Sequence, residues 1–274
     1  MTDRYAVMGH PIAHSKSPFI HTRFAEQTGE DLVYEAIDVE PGTFPATVRE
    51  FGANGGRGFN VTLPFKEEAF ALVTERTPRA ELAGAVNTVR FEPDGGISGD
   101  NTDGSGLVRD LERVLGRGLG GRRALLLGAG GAARGAIAPL LDAGVASLVI
   151  ANRTEARARN LAAHFARLGA VEAVALDALP ARGFDLVVNA TSASLRDAVP
   201  AVSADILAAD ACCYDMVYAS TPTAFLRWAE AAGARHIADG LGMLVEQAAE
   251  AFERWRGVRP DTAPVLAALR EGVR

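Results

Sequence analysis

Of 28 basic residues in this chain, only Lys16 and Lys66 are lysines. Arginine cannot replace an ammonium that must release a proton, because its pKa stays above about 12. A lysine kept in a composition rich in Arg, Ala and Gly is therefore a candidate for proton transfer. Three polar clusters in the first 103 residues sit where strands are expected to end. They are His14-Ser15-Lys16-Ser17-Pro18, the stretch from Asn60 to Lys66, and Ala85-Val86-Asn87-Thr88 together with Asp100-Asn101-Thr102-Asp103-Gly104. Between them they offer hydroxyls, amides, a lysine and a carboxylate, a lining suited to a small polyhydroxylated acid. Lys16 is expected to face solvent.

A second chemistry is legible further on. Gly128-Ala129-Gly130-Gly131-Ala132-Ala133 follows an apolar strand and opens a helix, the context in which a G-x-G-x-x-G/A string binds a dinucleotide. Gly128 permits the tight turn, Gly130 lets a pyrophosphate approach the backbone, and Ala133 lets helix and strand pack closely. The helix N-terminus adds amide donors and partial positive charge. The next strand ends Ala151-Asn152-Arg153-Thr154, with Arg157 one helical turn on and no carboxylate before Glu155. A carboxylate there reads the ribose 2′-hydroxyl of NAD. Arginine instead forms charge-assisted bonds to a 2′-phosphate, typically worth about 1.5–3 kcal/mol each. The expected cofactor is NADP. The alternative is a solvated basic helix start, partly neutralised by Glu155.

These residues need a scaffold. At 274 residues, 48% hydrophobic and 23% charged, the chain is long enough for two globular domains. Strands are expected at Tyr5–Gly9, Val33–Val39, Arg57–Leu63, and as a hairpin of Asn87–Phe91 with Gly96–Asp100 about Pro93-Asp94-Gly95. Helices are expected from Ser17 to Gly29, with Ser17 as N-cap, Pro18 at N1 and Phe19, Ile20 and Phe24 facing the core, then at Thr43–Phe51 and Ser105–Leu115. Gly116–Gly121 reads as a connection able to act as a hinge. From Arg123 the strands become apolar throughout, as a parallel sheet covered on both faces requires. The final helix is expected from about Gly240 to Arg256, its stripe made by Leu241, Leu244, Ala248, Phe252 and Trp255. The class is α/β: an open α/β substrate domain and a Rossmann-type doubly wound domain.

The ordered motifs HSKSP, NVTLPFK, AVNT, DNTDG, GAGGAARG, NRT, NATS (Asn189–Ser192), YDMVY (Tyr214–Tyr218) and ADGLGMLVEQA (Ala238–Ala248) resemble the shikimate dehydrogenase family along essentially the whole chain. The resemblance implies that Ser15 and Ser17 bind the substrate carboxylate with help from Tyr218. It implies that Thr62, Asn87, Asp103 and Gln247 contact ring hydroxyls, with Lys66 and Asp103 as the catalytic pair. Gly128, Ala129, Gly130, Gly131 and Ala132, then Asn152, Arg153, Thr154 and Arg157, and finally Met216 and Gly240 would hold NADP. The implied boundaries are 1–104 and 241–274 for substrate binding and catalysis, and 105–240 for NADP. The family places its active site in the cleft between the two. Two departures stand out. Ala193-Ser194-Leu195 follows NATS where the family often has a glycine, and Pro78 falls where many members carry an acidic residue.

The implied reaction is reversible hydride transfer between NADPH and 3-dehydroshikimate, leading to chorismate and the aromatic amino acids. A charged Lys66 suits proton delivery to the developing alkoxide, and shikimate oxidation should quicken as pH rises. Each residue has a plainer reading. Lys66 could pair with Glu67 or Glu68 at the surface, Asp103 could cap a helix starting at Ser105, and Gln247 could be a surface amide. A quinate/shikimate dehydrogenase paralogue using NAD, and a non-catalytic dinucleotide or shikimate sensor, are the competing functions. The net charge of −6 gives no field for nucleic acid or anionic membranes. The opening MTDRYAVMGH lacks a signal-peptide pattern, and no apolar run of about 18 residues is present. A cytoplasmic monomer or homodimer is expected. His10-x-x-x-His14 contains Pro11 and no glutamate, and the adjacent Cys212 and Cys213 are expected to be packing, so no metal site is read.

Overall fold

The apolar stretch after Thr2 forms strand β1 (Asp3–Gly9), whose last five residues are buried. The structure is a computed structural model that describes residues 2–181 and 183–272. The outer ends expected for the first domain, at Met1 and Arg274, lie outside the described residues. The chain divides into two units, Met1–Asp103 with Val245–Arg270, and Gly104–Leu244 with Glu271–Arg274.

In the first unit β1 pairs in parallel with β2 (Leu32–Asp38) and β3 (Gly56–Val61). The sheet turns antiparallel at β5 (Thr88–Phe91) and β6 (Ile97–Asp100), the expected hairpin, and is edged by the two-residue strand β4 (Glu75–Arg76). Strand order is β2-β1-β3-β5-β6-β4. Helix α1 (Ser17–Thr28) stops at Gly29, which takes the left-handed conformation (φ 72°) that glycine adopts without steric cost. Two details of α1 correct the sequence reading. Its N-cap is Lys16, not Ser17, and no side chain caps it. Phe19, expected in the core, is 38% exposed, while Ile20 and Phe24 are buried. Helix α2 (Phe44–Ala53) stacks Phe44 face to face on Phe65, with ring centroids 5.0 Å apart, in a core that also holds Val48, Phe51, Phe59 and Val61.

Helix α3 (Lys66–Leu72) precedes two short helices that escape the sequence reading, α4 (Pro78–Ala83) and α8 (Ala224–Ala231). At six and eight residues they hold about two turns, too few for an apolar pattern to repeat legibly. Pro78 opens α4 behind the N-cap Thr77, whose hydroxyl accepts from the amide of Ala80. Helix α5 (Asp103–Leu115) begins two residues before the expected start, so Asp103 lies inside its first turn. Helix α9 (Leu241–Arg256) is not the last element, because α10 (Ala263–Gly272) follows it. In the first unit the indole of Trp255 donates to the carbonyl of Val89 at 3.0 Å and stacks on Tyr5.

The second unit holds six parallel strands, β7 (Arg123–Leu127), β8 (Ser147–Asn152), β9 (Val171–Ala175), β10 (Phe184–Asn189), β11 (Leu207–Asp215) and β12 (His236–Asp239). Their order is β12-β11-β10-β7-β8-β9. Counted from β7 this is the doubly wound arrangement, with its topological switch between β7 and β10. Leu125, Leu127, Val149 and Val187 fill the core beneath Phe225 of α8. Cys212 and Cys213 are fully buried on β11, and burial raises both thiols to about 12, so they are packing groups.

Candidate active site

The polar clusters of the first unit are drawn together by main-chain hydrogen bonds. The amide of Val61 donates to the carbonyl of Asn87, the amide of Asn87 to Asp100, and the amide of Val86 to Lys66. Asn87, one residue before β5, thus lies beside both the end of β3 and the end of β6. The Nζ of Lys66, first residue of α3, lies 2.6 Å from Oδ2 of Asp103. Oδ1 of the same carboxylate accepts from Nδ2 of Asn87 at 2.8 Å. Asn87 Nδ2 also reaches Oε1 of Gln247 on α9 at 3.2 Å. Lys66 therefore pairs with Asp103 rather than with Glu67 or Glu68. Gln247, 8% exposed, is a buried partner of this cluster rather than a surface amide.

The remaining predicted substrate residues fall as follows. The hydroxyl of Ser15 accepts from the amide of Ser17 at 3.3 Å, so the HSKSP segment folds over its own serines, with Ser17 buried. Lys16 is half-buried. Thr62, half-buried just beyond β3, donates its amide to the carbonyl of Met8. Its methyl lies 2.4 Å from where a Cβ on Gly9 would sit, so only glycine fits at the end of β1. Tyr218 belongs to the second unit, where burial raises its phenol above the ordinary value.

Two buried elements were not assigned roles by sequence reasoning. Tyr34 on β2 donates to Oδ1 of Asn60 at 2.7 Å, and Asn60 Nδ2 donates to the carbonyl of Asn87 and to Oγ1 of Thr88. Tyr34 carries no signal in the sequence, since a tyrosine in a strand is ordinary. Asp100 is 1% exposed and receives Nε and Nη2 of Arg79 at 2.6 and 2.5 Å. Burial acts to raise the Asp100 carboxyl, but the Arg79 bonds outweigh it and the net shift is downward.

In the second unit Gly128 ends β7 at φ 109°, and its amide donates to the carbonyl of Ala151 at 2.8 Å. An added Cβ there would meet the carbonyl of Ala190 at 3.1 Å, so glycine is required by the turn itself. Gly130 and Gly131 differ: a Cβ on either meets no protein atom within 4 Å. They are exposed at the N-terminus of α6 (Gly131–Asp142), with Ala132 exposed beside them and Ala129 half-buried. Ala133 is fully buried against the sheet. Open space over bare backbone amides at a helix start fits a pyrophosphate.

Beyond β8, Asn152 Nδ2 donates to the carbonyl of Thr154, the N-cap of α7 (Glu155–Phe165). Glu155 bonds Arg159 at 2.7 Å, leaving Arg153 and Arg157 exposed and without an ion pair among the described residues. Two free guanidiniums beside this turn fit a 2′-phosphate. Gly240 lies against Met216, whose carbonyl would be 2.2 Å from an added Cβ. After NATS, Ser194–Arg196 forms a single 3₁₀ turn, in which the Ser194 hydroxyl donates to Asp215 at 2.6 Å and Leu195 is 71% exposed. Among the described residues no group of three or more His, Cys, Asp and Glu side chains is arranged to hold a metal ion.

A doubly wound parallel sheet with a bare glycine turn, carried with a unit that gathers a lysine, a carboxylate and amides, defines a dinucleotide-dependent oxidoreductase of a small polar substrate. Comparison with known proteins gives the family. Residues 7–89 match the shikimate dehydrogenase substrate binding domain, 111–198 the shikimate / quinate 5-dehydrogenase family, and 240–270 the shikimate 5'-dehydrogenase C-terminal domain. The chain is 58% identical over 268 residues to the shikimate dehydrogenase (NADP(+)) of Thioalkalivibrio sulfidiphilus, covering 98% of each chain. Among solved structures, an Ael1 enzyme from Pseudomonas putida is 50% identical with a TM-score of 0.93, covering 98% of each chain. Shikimate 5-dehydrogenase from Thermus thermophilus, in complex with NADP(H) and shikimate, is 39% identical with a TM-score of 0.86, covering 98% of this chain and 99% of that one. The chain belongs to the shikimate dehydrogenase family.

Proposed function

We propose that this protein is an NADP-dependent oxidoreductase that reversibly reduces 3-dehydroshikimate to shikimate, on the way to chorismate and the aromatic amino acids. The observation that carries the reading is the Lys66–Asp103 pair, 2.6 Å apart and flanked by Asn87 and Gln247. In reduction Lys66 gives a proton to the oxygen that becomes the alcohol, and in oxidation it takes that proton back. Its charge stabilises the developing alkoxide, and Asp103 holds the ammonium in line. Asn87, Gln247 and Thr62 bind ring hydroxyls, while Ser15, Ser17 and Tyr218 take the carboxylate. Residues 1–104 and 241–274 form the substrate part and 105–240 the NADP part.

When bound, NADPH supplies the hydride. Gly128 to Ala132 would hold its pyrophosphate, Asn152, Arg153, Thr154 and Arg157 its phosphorylated ribose, and Met216 and Gly240 the rest. Among the described residues no helix is long and apolar enough to cross a membrane. We infer a cytoplasmic monomer or homodimer that binds small molecules and no nucleic acid or membrane.

The test is initial-rate oxidation of shikimate and of quinate, each with NADP and with NAD, followed by nicotinamide absorbance. Turnover confined to shikimate with NADP is the expected result. Comparable rates with quinate or NAD would move the reading to the quinate/shikimate paralogue. Silence in all four mixtures would point to a sensor that kept the fold.

A further inference from the structure

We propose that Tyr34 is a positioning residue for the reaction, acting through a one-way chain of hydrogen bonds that ends on Asp103. The proposal rests on the functional reading above. Tyr34 lies in the middle of β2, and its ring stacks on the buried imidazole of His21, centroids 4.1 Å apart and planes 4° from parallel. Its hydroxyl donates to Oδ1 of Asn60 at 2.7 Å. Nδ2 of Asn60 then points the other way and donates to Oγ1 of Thr88 at 3.0 Å and to the carbonyl of Asn87 at 3.1 Å. Thr88 passes its single proton to Oδ1 of Asn87 at 2.9 Å, where the amide of Thr102 also donates at 2.8 Å, and the Thr88 oxygen can accept from the Thr102 hydroxyl at 3.2 Å. With Oδ1 occupied on that side, Nδ2 of Asn87 faces Oδ1 of Asp103, Oγ1 of Thr102 and Oε1 of Gln247. Lys66 sits on the other oxygen of Asp103.

Direction is what makes the chain more than packing. A hydroxyl has one proton, and an amide presents an acceptor at one end and donors at the other. Thr88 can give its proton to Asn87 only while Asn60 presents its NH₂ to Thr88. Were Asn60 to present its oxygen instead, that oxygen would compete for the Thr88 proton. Tyr34 fills the Asn60 oxygen with its own proton while the carbonyl of Asn87 takes the NH₂ end, and the two together hold the amide in the productive sense. Asn60, Asn87, Thr88 and Thr102 are at most 5% exposed, so the chain runs out of reach of bulk solvent. Without the phenol, the Asn60 oxygen is left buried and unsatisfied, and the amide is held from its NH₂ end alone. Thr88 is then set less firmly, Asn87 keeps the Thr102 amide as its one firm donor, and its hold on Asp103 and through it on Lys66 loosens.

The experiment compares wild type with Tyr34→Phe, Thr88→Val, their double variant and Thr88→Ser, recording kcat, both KM values and the thermal midpoint. Tyr34→Phe keeps the ring on His21 and removes only the donor. The expected result is a fall in shikimate kcat/KM on the order of tenfold, the equivalent of one buried hydrogen bond. It should include a fall in kcat, with the KM for NADP within about twofold of wild type. Thr88→Val should cost a similar factor, and Thr88→Ser, which keeps the hydroxyl, should return to within about threefold. Because both variants break one chain, the double variant should be no worse than the poorer single one.

If Tyr34→Phe and Thr88→Val lower the thermal midpoint but leave kcat unchanged, Tyr34 is structural only and the inference fails. Losses that multiply in the double variant overturn it equally, because the two residues would then act separately. Should Tyr34→Phe not accumulate as folded protein, Thr88→Val against Thr88→Ser carries the same decision. Wild-type turnover of shikimate with NADP tests the underlying reading separately: if wild type is inactive, that reading fails first.

Discussion

Lys66 has a role that no arginine can fill if it is to exchange a proton, and it is held by one carboxylate oxygen at 2.6 Å. Lys66→Ala should lower kcat for shikimate oxidation by roughly two to four orders of magnitude, as removal of a general acid–base does, while the KM for shikimate changes far less. Near-normal turnover in steady-state assays would remove Lys66 from the mechanism. Arg153 and Arg157 are exposed and lie outside the Glu155–Arg159 pair. Arg153→Ala should raise the KM for NADP about 10- to 150-fold, the worth of one charge-assisted bond, with little change for NAD. Equal losses with the two cofactors would deny it the 2′-phosphate.

At the scale of elements, one guanidinium ties together the pieces that carry the site. Arg79 on α4 grips Asp100 at the end of β6 with two nitrogens and Glu250 on α9 with the third, at 2.8 Å. Asp103 lies three residues beyond Asp100, and Gln247 lies three before Glu250. Replacing Arg79 by Met leaves the Asp100 carboxylate buried without its main counter-charge, and should cost about 3–5 kcal/mol at pH 7. Protonating Asp100 relieves that penalty, so the gap from wild type should narrow as pH falls from 7 toward 4. In wild type the Asp100 carboxyl is shifted downward, so its stabilisation is present above the unfolded value of about 3.9. It is lost only as pH falls through the lower folded value. Urea unfolding at several pH values checks both statements, and a gap that does not vary with pH would contradict them.

For the whole molecule, acid stability depends on a group far from the proton-transfer chemistry. His21 is fully buried, with neither ring nitrogen hydrogen-bonded, and burial lowers it to about 3. Unfolding releases an imidazole of ordinary pKa about 6.5, so between about 3 and 6.5 the unfolded chain binds the extra proton. Stability conferred by the neutral ring is therefore complete above about pH 6.5 and declines as pH falls, by up to about 1.4 kcal/mol per pH unit. His21→Phe, which keeps a ring against Tyr34, should flatten the stability–pH curve between pH 4 and 6.5 in urea titrations. A curve with the wild-type slope would show that His21 does not govern it. Ligands should act on separate parts: shikimate should slow hydrogen exchange around Asn60–Asp103, and NADP around Gly128–Arg157.

The sequence alone reached the class of both units and the dinucleotide turn, and it singled out the side chains proposed to carry the chemistry. Those signals are local: a glycine pattern after an apolar strand, a lone lysine among arginines, and hydroxyl and amide residues at strand ends. It misjudged the cap of α1 and the start of α5, where one or two residues of helix are decided by packing. It passed over α4 and α8, whose two turns or so give no legible apolar repeat. It also left Lys66, Asp103 and Gln247 with plainer readings than the ones the fold supports. Only the tertiary structure brought Lys66, Asn87, Asp103 and Gln247 to one point, because their contacts span up to 160 residues of chain. The role of Tyr34 was hidden for the same reason. Hydrogen-bond direction along Tyr34, Asn60, Thr88 and Asn87 is a property of β2, β3 and β5 of one sheet, the first two on either side of β1, and no single segment contains it.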